Sequence, residues 1–313
     1  MNLFIATFTA VGTLLVIGLL GFWLLSRRIL IENAIGPLSV LAIDIALPCL
    51  IFANIIRNFN PEDYSLWWTL PIWWIGFTIF LWVITTVLTV ISRKTVRREF
   101  RFSLFFHNGI FFPLAIIVEL FGTDSTYVVE LFLFTLFYPA FFFNTAPLFF
   151  GKKVQSLDWS RIFNPILAAT VIAIITRLTG AHEFVPVFVV SGLSLVGNMA
   201  VPLLMIILGG NIFLDLQKSG KIAVFECLKF VGMKNIVFPL VTLGVLILLS
   251  PPYHIALIIM IQSAVPPITA VPILAEREGG DRTIVNQFMV ASFGISLITL
   301  PVMILLFGRF FTR

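Results

Sequence analysis

Charge is scarce in this sequence. Asp, Glu, Lys and Arg make up 11% of its 313 residues, and 59% are hydrophobic. A soluble chain is about a quarter charged. So few polar groups cannot cover the surface of a water-soluble fold of this length, whereas a lipid-facing surface needs none. Cysteine is scarce too. Cys49 and Cys227 both fall in apolar stretches, which excludes a disulfide framework. The three histidines, His107, His182 and His254, lie in separate segments. No Cys/His metal cluster follows from them, and no His–carboxylate or Ser/Lys grouping marks a membrane-embedded enzyme. A GxxxxGK[ST] loop is also missing, which excludes ATP-driven transport by this chain alone. The only small species expected beside a substrate is a coupling ion, proton or sodium.

What is abundant is apolar length. A bilayer-spanning helix needs roughly 20 mostly apolar residues. Ten such stretches can be read, near 3–25, 36–56, 65–92, 102–121, 127–150, 162–179, 186–209, 223–249, 254–275 and 284–308. The fold class expected is therefore an all-α integral membrane protein with ten transmembrane helices. The first stretch lacks a preceding basic residue and a small-residue cleavage site, and reads as a retained helix. The net charge of +5 does not call for nucleic acid, because the basic residues sit in short loops between spans. Loops after odd-numbered spans hold fourteen Lys and Arg; those after even-numbered spans hold only Arg57 and Arg177. Basic loops stay cytoplasmic, so both termini are expected on the other side. Arg309 and Arg313 run against this bias without outweighing it. Trp67, Trp68, Trp73 and Trp74 read as an interfacial belt.

Shifting the sequence 154 positions against itself aligns Pro48 with Pro202, Pro113 with Pro267 and Pro147 with Pro301. About half of one such pair is expected by chance. The shift also brings Asp44 onto Asn198 and Asn108 onto Gln262, and lays spans one, two, four and five on six, seven, nine and ten. Five spans per repeat is odd, so the second repeat enters the membrane inverted, as in secondary transporters. The repeats are residues 1–150 and 161–313, joined by a cytoplasmic linker at 151–160.

Spans four and nine carry prolines near mid-span, in His107-Asn108-Gly109-Ile110-Phe111-Phe112-Pro113 and Gln262-Ser263-Ala264-Val265-Pro266-Pro267. A proline inside a helix removes a backbone donor and clashes with the carbonyl four residues back. Freed backbone groups in hydrocarbon need protein, water or ligand. Two broken helices meeting at the midplane then offer N-terminal dipole ends to an anion and free carbonyls to a cation. Read the other way, the prolines only kink the helices for packing. The candidate substrate residues are Asn108, Phe112, Pro113, Gln262, Ser263, Val265, Pro266 and Pro267, with Asn144 in span five. A helix–helix hydrogen bond explains Asn144 equally well. Candidate coupling residues are Asp44 and Lys234, charges deep within spans two and eight. Asp44 is either an ion or proton site or a structurally bonded carboxylate. Lys234 balances a substrate carboxylate, pairs with an acid such as Asp44, or snorkels to the interface. Glu119 and Glu130 read as interfacial. His107 ranks below Asn108, since adjacent residues of a helix face different ways.

The chain resembles the auxin efflux carrier family, the PIN-like transporters that include bacterial organic-acid carriers. The resemblance rests on Ala46-Leu47-Pro48-Cys49-Leu50-Ile51-Phe52, Asn164-Pro165, Pro202-Leu203-Leu204 with Gly209-Gly210, and Lys234 five residues before Pro239. It continues through Ala264-Val265-Pro266-Pro267, Ile273-Leu274-Ala275 and Asp281 to Leu300-Pro301. The resemblance implies a fold shared with bile-acid-type sodium symporters. Spans 1, 2, 6 and 7 would form a scaffold that often dimerises, and spans 3–5 and 8–10 a moving transport domain. Broken spans four and nine would cross beside a small organic anion. Phe111 and Phe112 depart from the family's glycine-rich stretch. The alternatives are a ligand-binding sensor that keeps the fold, a sodium-coupled symporter of the bile-acid type, or a channel.

Overall fold

The computed structural model describes residues 3–62, 66–122, 125–152, 165–218 and 222–311. Most of the expected linker, Asn164 of the Asn164-Pro165 motif, and Lys153, Arg161, Lys221 and Arg313 of the loop-charge count lie outside the described residues. Among the described residues there is no strand, only an isolated backbone bridge between His107 and Pro267. The helices are α1 Leu3–Ser26, α2 Glu32–Asn58, α3 Trp67–Ile91, α4 Arg97–Phe105, α5 Phe111–Phe121 and α6 Thr126–Phe149. They continue as α7 Pro165–Leu178, α8 Val187–Leu214, α9 Val224–Leu249, α10 Tyr253–Ala264, α11 Val271–Arg277 and α12 Arg282–Phe310. Seven of these, α1, α2, α3, α6, α8, α9 and α12, are long and apolar enough to cross a membrane; α5, α7 and α10 are shorter apolar helices.

Packing groups the helices, although α1 also lies against α5 and α12. Helix α1 lies on α8, and α2 packs against both α7 and α8. Small residues make these approaches close. A Cβ on Gly209 would collide with the Gly18 carbonyl, one on Gly21 with the Ile206 backbone, and one on Gly197 would stand 2.5 Å from Leu50 Cα. Without water to drive association, helices in lipid gain from such backbone proximity. Helices α3 to α6 pack among themselves, as do α9 to α12, and the two groups meet where α4 touches α11 and α12 and α10 touches α3 and α5. Polar contacts reinforce the meeting of the two groups. Glu226 of α9 is buried and takes Lys229 at 2.9 Å and Arg93, beyond the end of α3, at 3.3 Å. Lys152 reaches Glu278 at 3.1 Å, and the buried Glu99 of α4 accepts the Asp281 amide. Asp281 in turn caps α12 through the amides of Thr283 and Ile284.

Two helices widen in mid-course. Leu41–Ala46 within α2 and Gly232–Val237 within α9 form π turns, with Leu47 N bonded to Ala42 O and Phe238 N to Met233 O. A proline, Pro48 or Pro239, follows each after one intervening residue. The wider turn moves aside the carbonyl that the proline ring would strike in an α-helix. Asp44 and Lys234 each sit inside one of these turns.

Candidate functional site

The chain unwinds twice, at 106–110 between α4 and α5 and at 265–270 between α10 and α11. The two unwound stretches run antiparallel and bond to each other. Asn108 N donates to Pro266 O at 2.8 Å, and Ile268 N donates to Phe106 O at 3.1 Å. Backbone groups freed by one break are thus satisfied by the other, which answers the cost of unwinding in an apolar surround. The prolines contribute unequally. Pro266 and Pro267 lie in the unwound stretch, whereas Pro113 lies in the first turn of α5, downstream of its break. A proline is tolerated there because first-turn amides have no helical acceptor.

Side chains from both breaks converge. Gln262 Nε2 donates to Gly109 O at 2.7 Å, and Asn108 Oδ1 accepts the Phe111 amide at 3.2 Å. That second bond takes up one of the α5 amides expected to be free for an anion. Both amide side chains are completely buried, and each keeps one polar atom with no partner: Asn108 Nδ2 and Gln262 Oε1. Unpartnered buried polar atoms are uncommon and cost roughly 1–3 kcal/mol each. A Cβ on Gly109 would stand 3.0 Å from Gln262 Oε1 and 3.3 Å from the Tyr138 ring, so glycine suits this close approach.

Lys234 is also fully buried, and its ammonium has no hydrogen-bond partner. It lies 4.7 Å over the Phe238 ring and acts electrostatically on the His107 ring. No ion pair joins it to Asp44. Snorkelling does not describe it, because no part of the residue reaches the surface. Next along α9, Asn235 exchanges bonds with Ser292 of α12, donating to its carbonyl at 3.0 Å and accepting its hydroxyl at 2.7 Å.

The other sequence candidates are more dispersed. Phe112 is buried edge-on against Phe293 of α12, at 4.8 Å. Ser263 donates to Met260 O in its own helix, and Val265 is fully buried. Asn144 is half-buried, and its amide donates to Ala140 O of its own helix. Asp44 is exposed and lines a cavity of about 380 Å³ with Ser39, Pro139, Phe143 and Arg277. Glu119 is exposed, but Glu130 is 2% exposed, facing Asn58, Phe59, Trp67 and Leu70.

Two residues at the crossing exceed their sequence ranking. Tyr138 donates its hydroxyl to His107 O, and the His107 ring stands between Phe77 and Tyr138. His107 faces away from Asn108 only in a helix, and residues 106–110 are not helical. The available signal was the adjacency of a histidine to an asparagine in a predicted break. Tyr138 had no signal of its own.

A cavity of about 460 Å³ adjoins the first turns of α5 and is lined by Leu14, Asn54, Arg57, Leu114, Glu119 and Asn198, among others. Arg57 is held there by Ser191 and Ser194 of α8, at 3.2 and 3.1 Å. A larger cavity, about 640 Å³, is apolar and lies between α9 and α12; none of the crossing residues lines it. Volume alone would point to that cavity, but the convergent polar groups are at the crossing.

No curated protein matches this chain closely enough to name a relative. Residues 6–154 and 145–304 match the family described as membrane transport protein. Together with the seven apolar helices, that makes the chain a multi-pass membrane protein of a transport family, not of an enzyme family. The chain belongs to the membrane transport protein family, the auxin efflux carrier-like transporters.

Proposed function

We propose that this protein is a secondary transporter that carries a small organic anion by elevator-like alternating access, with the anion bound at the crossing of its two broken helices. The observation that carries the reading is the pair of unpartnered buried donors, Asn108 Nδ2 and Lys234 Nζ, beside two mutually bonded chain breaks. Buried donors without acceptors, one of them cationic, suit an anion that supplies the acceptors. The cavity beside α5, with Arg57 on its wall, serves as the approach.

In this reading α4 with α5, and α10 with α11, each count as one broken span, and α7 is the sixth. Ten spans result, in inverted repeats 1–150 and 161–313. Spans 1, 2, 6 and 7 form the scaffold and the pairing face of a homodimer; spans 3–5 and 8–10 move. The mutual packing of α1, α2, α7 and α8 supports the division, as do the ion pairs that tie α9 to the end of α3. The plasma membrane is the proposed location, with both termini outside the cytoplasm. The remaining proposed contacts are Phe112, Pro113, Ser263, Val265, Pro266, Pro267 and Asn144, and Asp44 lies in the seam between the two bodies.

The test is flux in proteoliposomes under imposed proton, sodium and potential gradients, after a thermal-shift screen of organic acids selects ligands. Asn108→Ala and Gln262→Ala are expected to abolish flux while the protein stays folded. If no organic anion moves under any gradient through folded wild-type protein, the proposal fails.

A further inference from the structure

We propose that His107 takes up one proton with each organic monoanion bound beside Lys234, so that the carrier works as an electroneutral proton–anion symporter. The inference rests on the anion-carrier reading above and adds the coupling ion and the residue that holds it.

His107 is 3% exposed and lies in the first unwound stretch. Its Nδ1 is 3.4 Å from Phe105 O. A Cβ built on Gly109 would stand 3.4 Å from His107 Nε2 and 3.0 Å from Gln262 Oε1. The Gln262 amide is oriented by the Nε2 bond to Gly109 O, so Oε1 is the atom turned toward the ring. That oxygen has no donor. The imidazole therefore stands between two acceptors. A neutral imidazole has one N–H and serves only one of them, whereas an imidazolium has two and serves both.

Burial opposes the second proton first, and charge adds to it. The Lys234 ammonium acts on the ring from α9. The other groups around the ring bring no negative charge to offset it: Phe77 from α3, Tyr138 from α6 and Gln262 from α10. Among the described residues, no carboxylate acts on His107 or on Lys234. An anion placed against Lys234 offsets that charge, and the acceptor at Gln262 receives the new N–H.

The charges then balance. With Lys234 held as an ammonium, the empty site carries +1. The loaded site carries Lys234, the anion and the imidazolium, again +1. One anion and one proton cross together, no bond within the anion is made or broken, and neither reorientation step differs in charge from the other.

The experiment uses the full chain in proteoliposomes loaded with a pH dye, with pyruvate, lactate and phenylpyruvate as probes, monoanions at neutral pH. Acidifying the outside by one pH unit should accumulate the transported probe about tenfold, since one pH unit equals a tenfold ratio for one coupled proton. A membrane potential should change nothing. In His107→Gln the loaded site falls to zero charge while the empty one keeps +1. Accumulation should then ignore the pH gradient and follow potential, about tenfold per 60 mV at 2.3 kcal/mol per 100 mV. Independently of any variant, probe binding to detergent-purified wild type in weak buffer should take up close to one proton per anion. Binding with no proton uptake, or potential-driven flux in wild type, overturns the inference and leaves the anion carrier standing. Failure of all three probes to bind or move removes the anion reading beneath it for this substrate class, and the inference with it.

Discussion

Replacing Lys234 with Met should raise stability and remove anion binding together. The lysine is completely buried and its ammonium has no hydrogen-bond partner. A lysine at the centre of a membrane helix costs about 2.5–3.5 kcal/mol on insertion scales. The Phe238 ring under the ammonium returns about 1 kcal/mol of that. Methionine keeps most of the side-chain volume and needs no partner. The net expectation is a gain of about 2 kcal/mol. At about 2.1 cal/mol/K per residue, that lifts the thermal midpoint of a chain of this length by roughly 3 °C. The wild type, by contrast, should gain about 2.7 kcal/mol from an anion at a hundred times its Kd, and the variant nothing. Differential scanning fluorimetry in one detergent, with and without the best ligand of the acid screen, measures both. A variant less stable than wild type without ligand refutes the reasoning, because the lysine would then have a stabilising partner. A variant still stabilised by the anion refutes the assignment of Lys234 to the anion.

Tyr138→Phe removes the hydroxyl that holds the His107 carbonyl and should cost roughly 1–2 kcal/mol in thermal unfolding, with flux reduced. Gly209→Leu should separate α1 from α8, because even a Cβ there overlaps the Gly18 carbonyl; fluorescence-detected gel filtration should show loss of the monodisperse peak. Glu226→Gln leaves Lys229 and Arg93 without their shared carboxylate and should lower the thermal midpoint by the equivalent of roughly 1–2 kcal/mol. Since Glu226 is 4% exposed, added salt should mimic little of that loss.

Composition and apolar length carried the architecture. Among the described residues, seven helices are long and apolar enough to cross a membrane, because bilayer thickness leaves little freedom in how long an apolar run must be. The position of the chain breaks was partly legible. Pro266 and Pro267 mark theirs directly, while Pro113 lies one turn past its own, where residues 106–110 unwind to bond with the second stretch. That bonding is a long-range event with no local signal. Asn108 and Gln262 were legible as amides that the 154-residue shift aligns, and Gln262 bonds the backbone of Gly109, next to Asn108. The surroundings of Asp44 and Glu130 were not. Depth in the sequence of a span does not say which face a residue takes, and Asp44 faces a cavity while Glu130 faces neighbouring helices.

The two π turns have a consequence for phase. A π turn holds one residue more than an α turn, so everything beyond it is rotated by about 100° relative to an unbroken helix. In α2 and α9 the apolar stripe therefore changes azimuth at Asp44 and at Lys234. Deleting one residue within either turn would keep the helix and its length nearly intact, yet turn one half against the other by more than a quarter of a revolution. Each helix works as two gears with a fixed offset, and the charged residue sits at the offset.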